Sequence, residues 1–381
     1  MKGVLQEMSE NGKISVLQLM VLVFLYTIGT TVLVIPSGLA ATANQDAWLG
    51  AIVGVLIGTV VLGLYIALWI VYPGQTFVGI CRAALGKWAG SAIAVIFMGY
   101  GFIGASTVLF YVGNFFQTQF IPRTPIWCTV TLFALVVVMG TRLGLETISR
   151  AAELMLPWFL LFFAILVITL VPAAKYVNVR PMLEFGWKPL FEAGLSFAGT
   201  AYMPIVFLFA VFPHVKTPEK AKIGVYVTAL IGGLCVVLVT LLCILVLGPN
   251  ITARSMFPSY ALVKKINIGN FLQRVEAVMA GMWFITTYVK TTFYFYGGVT
   301  SLSEILNLNN YRNVTLPCTM IVIVLSLIVY PDVVYMQYWD SIVFPPYILL
   351  MGVFIPLLLW IIGLFKTKPG QNAAASGKNQ S

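Results

Sequence analysis

The run FLYTIGTTVLVIP, from Phe24 to Pro36, poses the chain's first structural problem. Apolar residues flank it on both sides, so the segment has the makings of a helix that crosses a membrane. Yet its middle reads Thr27, Gly29, Thr30, Thr31, and it closes on Pro36. Glycine, β-branched threonine and proline are poor helix formers, and here they fall at mid-depth. Irregular backbone inside a bilayer is tolerated only where protein or a water-filled cavity surrounds it. Two readings follow: a close helix contact with a simple kink, or an interruption that lines a pocket.

A second segment repeats the pattern. LFEAGLSFAGTAYMPIVFLFAVFP, residues 190–213, holds Gly199, Thr200, Tyr202 and Pro204 between two apolar halves. The two segments are the first and sixth of ten apolar stretches, which are equivalent positions in a five-plus-five repeat. Interrupted segments in corresponding halves point to the binding site of an inverted-repeat transporter. Five helices per half is an odd number, so the second half enters from the opposite side. Unwinding exposes N–H groups on one half-helix and carbonyls on the other. The first favour a carboxylate and the second an ammonium, so the pair makes a zwitterion clamp suited to an amino acid. Gly29 and Gly199 let backbone approach a ligand, and Thr27, Thr30, Thr31 and Thr200 offer hydroxyls.

Composition agrees with a membrane chain. Of 381 residues, 60% are hydrophobic and only 9% charged, with a mean hydropathy of +0.97. Soluble domains carry about 25% charged residues, so a soluble fold is excluded. The net charge of +10 lies in short loops and the C-terminal tail, where basic residues set topology, and is no signal for nucleic acid. Five scattered cysteines, no CxxC pair and a lone His214 imply neither a metal site, a cofactor nor a disulfide framework. No nucleotide-binding motif or catalytic triad appears, and nothing makes a case for an enzyme.

The fold class is all-α integral membrane with about ten spanning helices. They fall at 14–41, 47–71, 90–119, 125–140, 145–171, 190–212, 221–248, 273–305, 314–330 and 341–365. Residues 1–13 form a cytoplasmic segment without the layout of a signal peptide. Residues 14–365 form one transmembrane domain, with repeats at about 14–171 and 190–365, and 366–381 a disordered basic cytoplasmic tail. The loop YPGQTFVGICRAALGKW suits a short interfacial helix, and Pro125 suits a helix start. With both termini inside, the inner segments hold 13 basic residues and the outer ones 8, which fits the positive-inside rule.

Lys290 lies deep within MAGMWFITTYVKTTFYFYGG, residues 279–298. Its depth, about 25 Å along the eighth helix, makes function the default reading, against a snorkelling stem. Steps of seven put Glu276, Trp283, Lys290 and Gly297 on one face, which points into the bundle. Lys290 either supplies a fixed ammonium where a related transporter binds sodium, or titrates and couples to protons. Glu153 in the fifth helix is its candidate partner, whereas Glu146 and Arg150 pair with each other at i,i+4. Tyr100 and Gly101 in the third helix, Tyr202 in the sixth and Tyr294 in the eighth are candidate pocket walls.

The chain resembles the endospore-germination permease family, the B subunits of nutrient germinant receptors, within the amino acid–polyamine–organocation superfamily. The resemblance spans roughly residues 13–366. It rests on the interrupted first helix ending at Ile35-Pro36, LGKWAGS at 85–91, RTPIW at 123–127, NVRPMLEFGWKPL at 178–190, FPHVKTPEKA at 212–221 and QRVEAV at 273–278. It implies a leucine-transporter-like fold with broken helices 1 and 6, a place in the spore inner membrane, and recognition of a small nutrient. It also implies a complex with an A subunit and a lipoprotein C subunit. Relatives often carry Gly-x-Gly in the first helix, where this chain reads Gly29, Thr30, Thr31. The runner-up reading is a proton-coupled amino-acid permease. A third is a channel-like subunit with a vestigial pocket.

Overall fold

A computed structural model describes residues 13–265 and 275–367. The N-terminal segment up to residue 12, the tail from 368 and the expected start of the eighth helix at 273 lie outside the described residues. Helices occupy all ten apolar stretches. The first is split into α1 (Val16–Ile28) and α2 (Thr31–Ala43), followed by α3 (Ala47–Val71). A short helix, α4 (Phe77–Leu85), fills the next loop. Then come α5 (Lys87–Gln119), α6 (Ile126–Leu143) and α7 (Leu145–Leu170), which complete the first half.

The second half opens with α8 (Trp187–Ala201), which passes at Tyr202 into 3-10 turns over Met203–Ala210. It continues through α9 (Pro218–Leu247), the short α10 (Pro249–Arg254) and α11 (Pro258–Lys264), α12 (Val275–Ile305) and α13 (Arg312–Ile328). The tenth stretch is α14 (Val333–Tyr338), α15 (Phe344–Leu349) and α16 (Ile355–Thr367), separated by π-helical turns at Trp339–Val343 and Leu350–Phe354. Seven segments among the described residues are long and apolar enough to cross a membrane, the first uniting two stretches as Val16–Val71. The 17-residue α13 is too short for that measure. Lys290 and its neighbouring threonines dilute α12, which is not among the seven.

Local chemistry explains the boundaries. Ser15 and Gln18 form a reciprocal cap at the start of α1: Gln18 N–H donates to Ser15 Oγ at 3.1 Å, and Ser15 N–H to Gln18 Oε1 at 2.9 Å. Thr76 caps α4 by accepting from Gly79 N–H at 3.1 Å. Pro125 stands at the N-cap of α6. At the far end of α12, Arg82 donates to the carbonyls of Glu304 and Ile305, both at 3.2 Å, which suits the negative end of a helix.

Helices approach closely where small residues meet. A Cβ on Gly54 of α3 would lie 2.8 Å from the Gly194 carbonyl of α8. One on Gly101 of α5 would lie 2.9 Å from the Tyr294 carbonyl of α12. α12 packs against α1, α5, α7 and the 3-10 turns after α8, which puts it beside both interruptions. The outward faces of α6, α7 and α13 expose Leu132, Leu154, Ile168 and Met320, as a lipid-facing surface should. On the N-terminal side, Ile14 N–H donates to the His214 carbonyl (2.9 Å) and Lys216 N–H to the Ile14 carbonyl (3.1 Å). The start of the first interrupted segment and the end of the second are thereby tied together.

Candidate functional site

Gly29 makes the first break. It ends α1 with its N–H on the Leu25 carbonyl, then turns to φ +38°, ψ −136°, a conformation that L side chains rarely adopt. The space where a Cβ would stand is filled by Lys290 Cδ. The room made by this glycine therefore holds the stem of the intramembrane lysine, where the sequence suggested a ligand. The Gly29 carbonyl accepts from Thr286 Oγ1 at 2.9 Å.

Proline makes the second break. Lacking an N–H, a proline leaves the carbonyl four residues earlier without its helical donor. Pro204 does this to Thr200, and the Thr200 carbonyl accepts from Lys290 Nζ at 2.8 Å. The same rule operates twice more. Pro36 strands the Val32 carbonyl, which accepts from Ser259 Oγ at 2.6 Å. Pro356 strands the Gly352 carbonyl, which lies 2.7 Å from Tyr65 Oη. Tyr65 Oη is also 2.7 Å from the Met203 carbonyl, at the head of the 3-10 turns. One hydroxyl hydrogen serves both. Tyr26 Oη donates to the Pro204 carbonyl at 2.9 Å.

Lys290 thus joins the two breaks. Its stem fills the notch at Gly29, and its ammonium donates to the Thr200 carbonyl and to Thr31 Oγ1 at 3.0 Å. It is 2% exposed, and its ammonium stands 5.9 Å from the centre of the Tyr26 ring. No carboxylate pairs with it among the described residues, whose three ion pairs are Glu146–Arg150, Lys188–Glu192 and Glu219–Lys222. A cluster of rings continues from there: Tyr26 to Tyr294 at 6.0 Å, Tyr294 to Tyr100 at 6.0 Å, and Phe207 at 5.1 Å from Tyr294 and 5.0 Å from Tyr100.

Of the residues singled out in the sequence, Gly29, Thr31, Thr200 and Lys290 meet at one point, with Tyr294 and Tyr100 in the adjoining ring cluster. Thr30 is half-buried between α1 and α2. The others go elsewhere. Thr27 donates to the Val23 carbonyl at 2.8 Å and packs on Gly232 of α9. Tyr202 turns to α9, donating to the Ala229 carbonyl at 3.1 Å. Gly199 has Ile348 as its near neighbour, and Gly101 serves the α5–α12 contact. Glu153 does not pair with Lys290: it accepts from Gln18 Nε2 at 3.1 Å near the start of α1. The Thr200 hydroxyl is spent on its own helix, bonding the Ser196 and Phe197 carbonyls at 3.1 Å.

Sequence reasoning missed Tyr26, Thr286, Tyr65 and Phe207. Thr286 precedes Lys290 by four residues, so helical spacing alone places the two on one face. It also missed Asp340. That carboxylate sits in a π-helical turn and accepts from Tyr111 and, at 3.3 Å, from Tyr330. A separate cavity of about 180 Å³ opens on the N-terminal side, lined by Thr76, His214, Tyr296, Thr300 and Glu304 among others.

The arrangement of two interrupted helices around a bundle centre has counterparts among solved structures. Mhp1, a nucleobase-cation-symport-1 family transporter in a closed conformation with bromovinylhydantoin bound, aligns with a TM-score of 0.65 at 13% identity, over 89% of this chain and 75% of that one. MhsT in complex with L-phenylalanine aligns with a TM-score of 0.64 at 13% identity, over 91% of this chain and 98% of that one. These likenesses establish the leucine-transporter-like inverted-repeat fold. Sequence relatives are narrower. Spore germination protein KB of Bacillus subtilis (strain 168) is 26% identical over 94% of this chain and 96% of its own length. Spore germination protein B2 of the same organism is 21% identical over 94% and 97%. A family model described as spore germination protein matches residues 13–332. With the match running through both breaks and Lys290, the chain belongs to the spore germination protein family.

Proposed function

We propose that this chain is the membrane subunit of a spore nutrient germinant receptor, binding a small nutrient where its two broken helices meet. The carrying observation is the bridge at Lys290, a buried lysine with no paired carboxylate among the described residues, held between both breaks of a transporter fold. Intramembrane charge of this kind is expensive and marks functional positions. Gly29, Thr30, Thr31, Thr200 and Lys290 form the polar part of the site. Tyr26, Tyr100, Tyr294 and Phe207 form its aromatic wall. Residues 14–365 act as one transmembrane domain in the spore inner membrane, with both termini on the core side.

A nutrient shifts a conformational equilibrium only by binding one state more tightly than the other. Lys290 supplies that difference, because its bonds reach both broken segments and any relative movement of α2 and α8 must stretch or remake them. The movement is read by the partner subunits, an A subunit and a lipoprotein C subunit. The test is release of core contents from spores lacking the gene, challenged with single amino acids and sugars. Loss of response to one nutrient, restored by the intact gene, supports the receptor. An unchanged profile at normal levels of the other receptors counts against it.

A second reading, an amino-acid permease coupled to protons, is favoured by the fold, which Mhp1 uses in a transporter and MhsT presents with L-phenylalanine bound. Saturable, pH-dependent uptake of labelled substrate by reconstituted vesicles supports it. Binding without uptake returns the weight to the receptor.

A further inference from the structure

We infer that Lys290 is a tethered ammonium occupying the subsite that a nutrient's own amine would use, so that the nutrient recognised here carries no cationic group. The inference rests on the proposed nutrient site and names the chemistry of its ligand. An unwound helix pair attracts an ammonium through stranded carbonyls. Here those carbonyls have donors from the protein itself: Gly29 from Thr286, Thr200 from Lys290, Met203 from Tyr65 and Pro204 from Tyr26. Four carbonyls at the two breaks, among them the one that Pro204 strands, are therefore occupied before any ligand arrives.

The donor side is not filled. A lysine ammonium has three N–H donors, and two are directed at Thr200 and Thr31. The Tyr100 hydroxyl, 1% exposed, bonds no backbone carbonyl among the described residues, and its ring stands 6.0 Å from that of Tyr294. The Lys290 charge has no carboxylate near it among the described residues. A ligand ammonium brought within about 4 Å of a fixed one loses roughly a thousandfold in affinity at an effective dielectric of about 20. An uncharged polyol or a carboxylate lacking an amine meets no such penalty. Each offers oxygen acceptors to the spare donors, and a sugar ring adds apolar faces for Tyr26, Tyr294 and Phe207.

The experiment uses the full-length protein in lipid nanodiscs and compounds matched except for one group: L-lactate against L-alanine, D-glucose against D-glucosamine, and further hydroxy and amino pairs of two to six carbons. Binding is read by labelled-ligand retention and by the rise in unfolding temperature. The expected result is that one or more amine-free compounds bind the intact protein at least 100-fold better than their amine partners. Lys290→Ala, which vacates the amine subsite, should reverse that preference, with at least a tenfold gain for the amine. Lys290→Met keeps the stem and removes the charge, and should narrow the ratio should the alanine variant fail to fold. Tighter binding of the amine member by the intact protein overturns the inference. So does a Lys290→Met protein that folds and keeps the intact ratio. Retention of no nutrient by folded intact protein in complex with its partner subunits overturns instead the nutrient-site reading on which this rests.

Discussion

The two breaks are built differently. At the first, a single glycine turns the chain through φ +38° and opens a notch. At the second, a proline removes one N–H, strands one carbonyl and stands near the start of an eight-residue run of 3-10 turns, Met203–Ala210. A glycine break costs space, and a proline break costs a hydrogen bond. Lys290 answers both: its methylenes fill the space and its ammonium replaces the bond. The lesson is that a broken helix need not present open backbone to a ligand, because the partner of that backbone can come from a third helix.

The contrast is broken most severely at Gly29. Gly29→Ala combines a positive φ with a methyl group directed into the Lys290 stem. It should cost about 2–4 kcal/mol, combining backbone strain and overpacking, read as a large fall in unfolding temperature in detergent. Gly199→Ala, at the opposite break, meets only Ile348 at 3.3 Å and should fall within about 1 kcal/mol of the parent. Equal losses at the two glycines would erase the distinction drawn between the breaks.

Thr286→Val has a smaller effect. It removes the donor to the Gly29 carbonyl while keeping the side chain's shape. The expected loss is about 1 kcal/mol, as for interhelical hydrogen bonds in membranes, and Thr286→Ser should restore most of it. Smallest is Glu153→Gln. Its carboxylate accepts from Gln18, away from Lys290, so stability and nutrient response should stay within about 0.5 kcal/mol and twofold of the parent. A collapse of response in that variant would revive Glu153 as the partner of Lys290.

How much of this was legible in the sequence varies with the kind of signal. Helix interruption is written in residue types, so Gly29 and Pro204 marked the broken segments, and the apolar stretches marked the ten helices. Lys290 announced itself by charge at depth, and its inward face followed from helical spacing through Trp283 and Gly297, both buried. The proline rule also names the stranded carbonyls directly, at Val32, Thr200 and Gly352, four residues before Pro36, Pro204 and Pro356. What completes those bonds is not written locally. Ser259, Lys290 and Tyr65 lie 227, 90 and 287 residues from the carbonyls they serve. A tyrosine such as Tyr26 or Tyr65 reads as core packing until its hydroxyl is seen on a distant backbone oxygen. The tenth helix was read as a single span, because its two π-helical turns arise from Pro345, Pro346 and Pro356 acting on a segment that is otherwise uniformly apolar.

The most direct measurement of the central claim is a double-mutant cycle between Lys290→Met and Pro204→Ala, followed by unfolding free energy in detergent. Pro204→Ala restores an N–H that can satisfy the Thr200 carbonyl within its own helix. If Lys290 is the replacement for that missing bond, Lys290→Met should cost about 1 kcal/mol less in the Pro204→Ala protein than in the parent. Equal costs in the two backgrounds would mean that the lysine does not cap the break, and the bridge between the two broken helices would have to be abandoned.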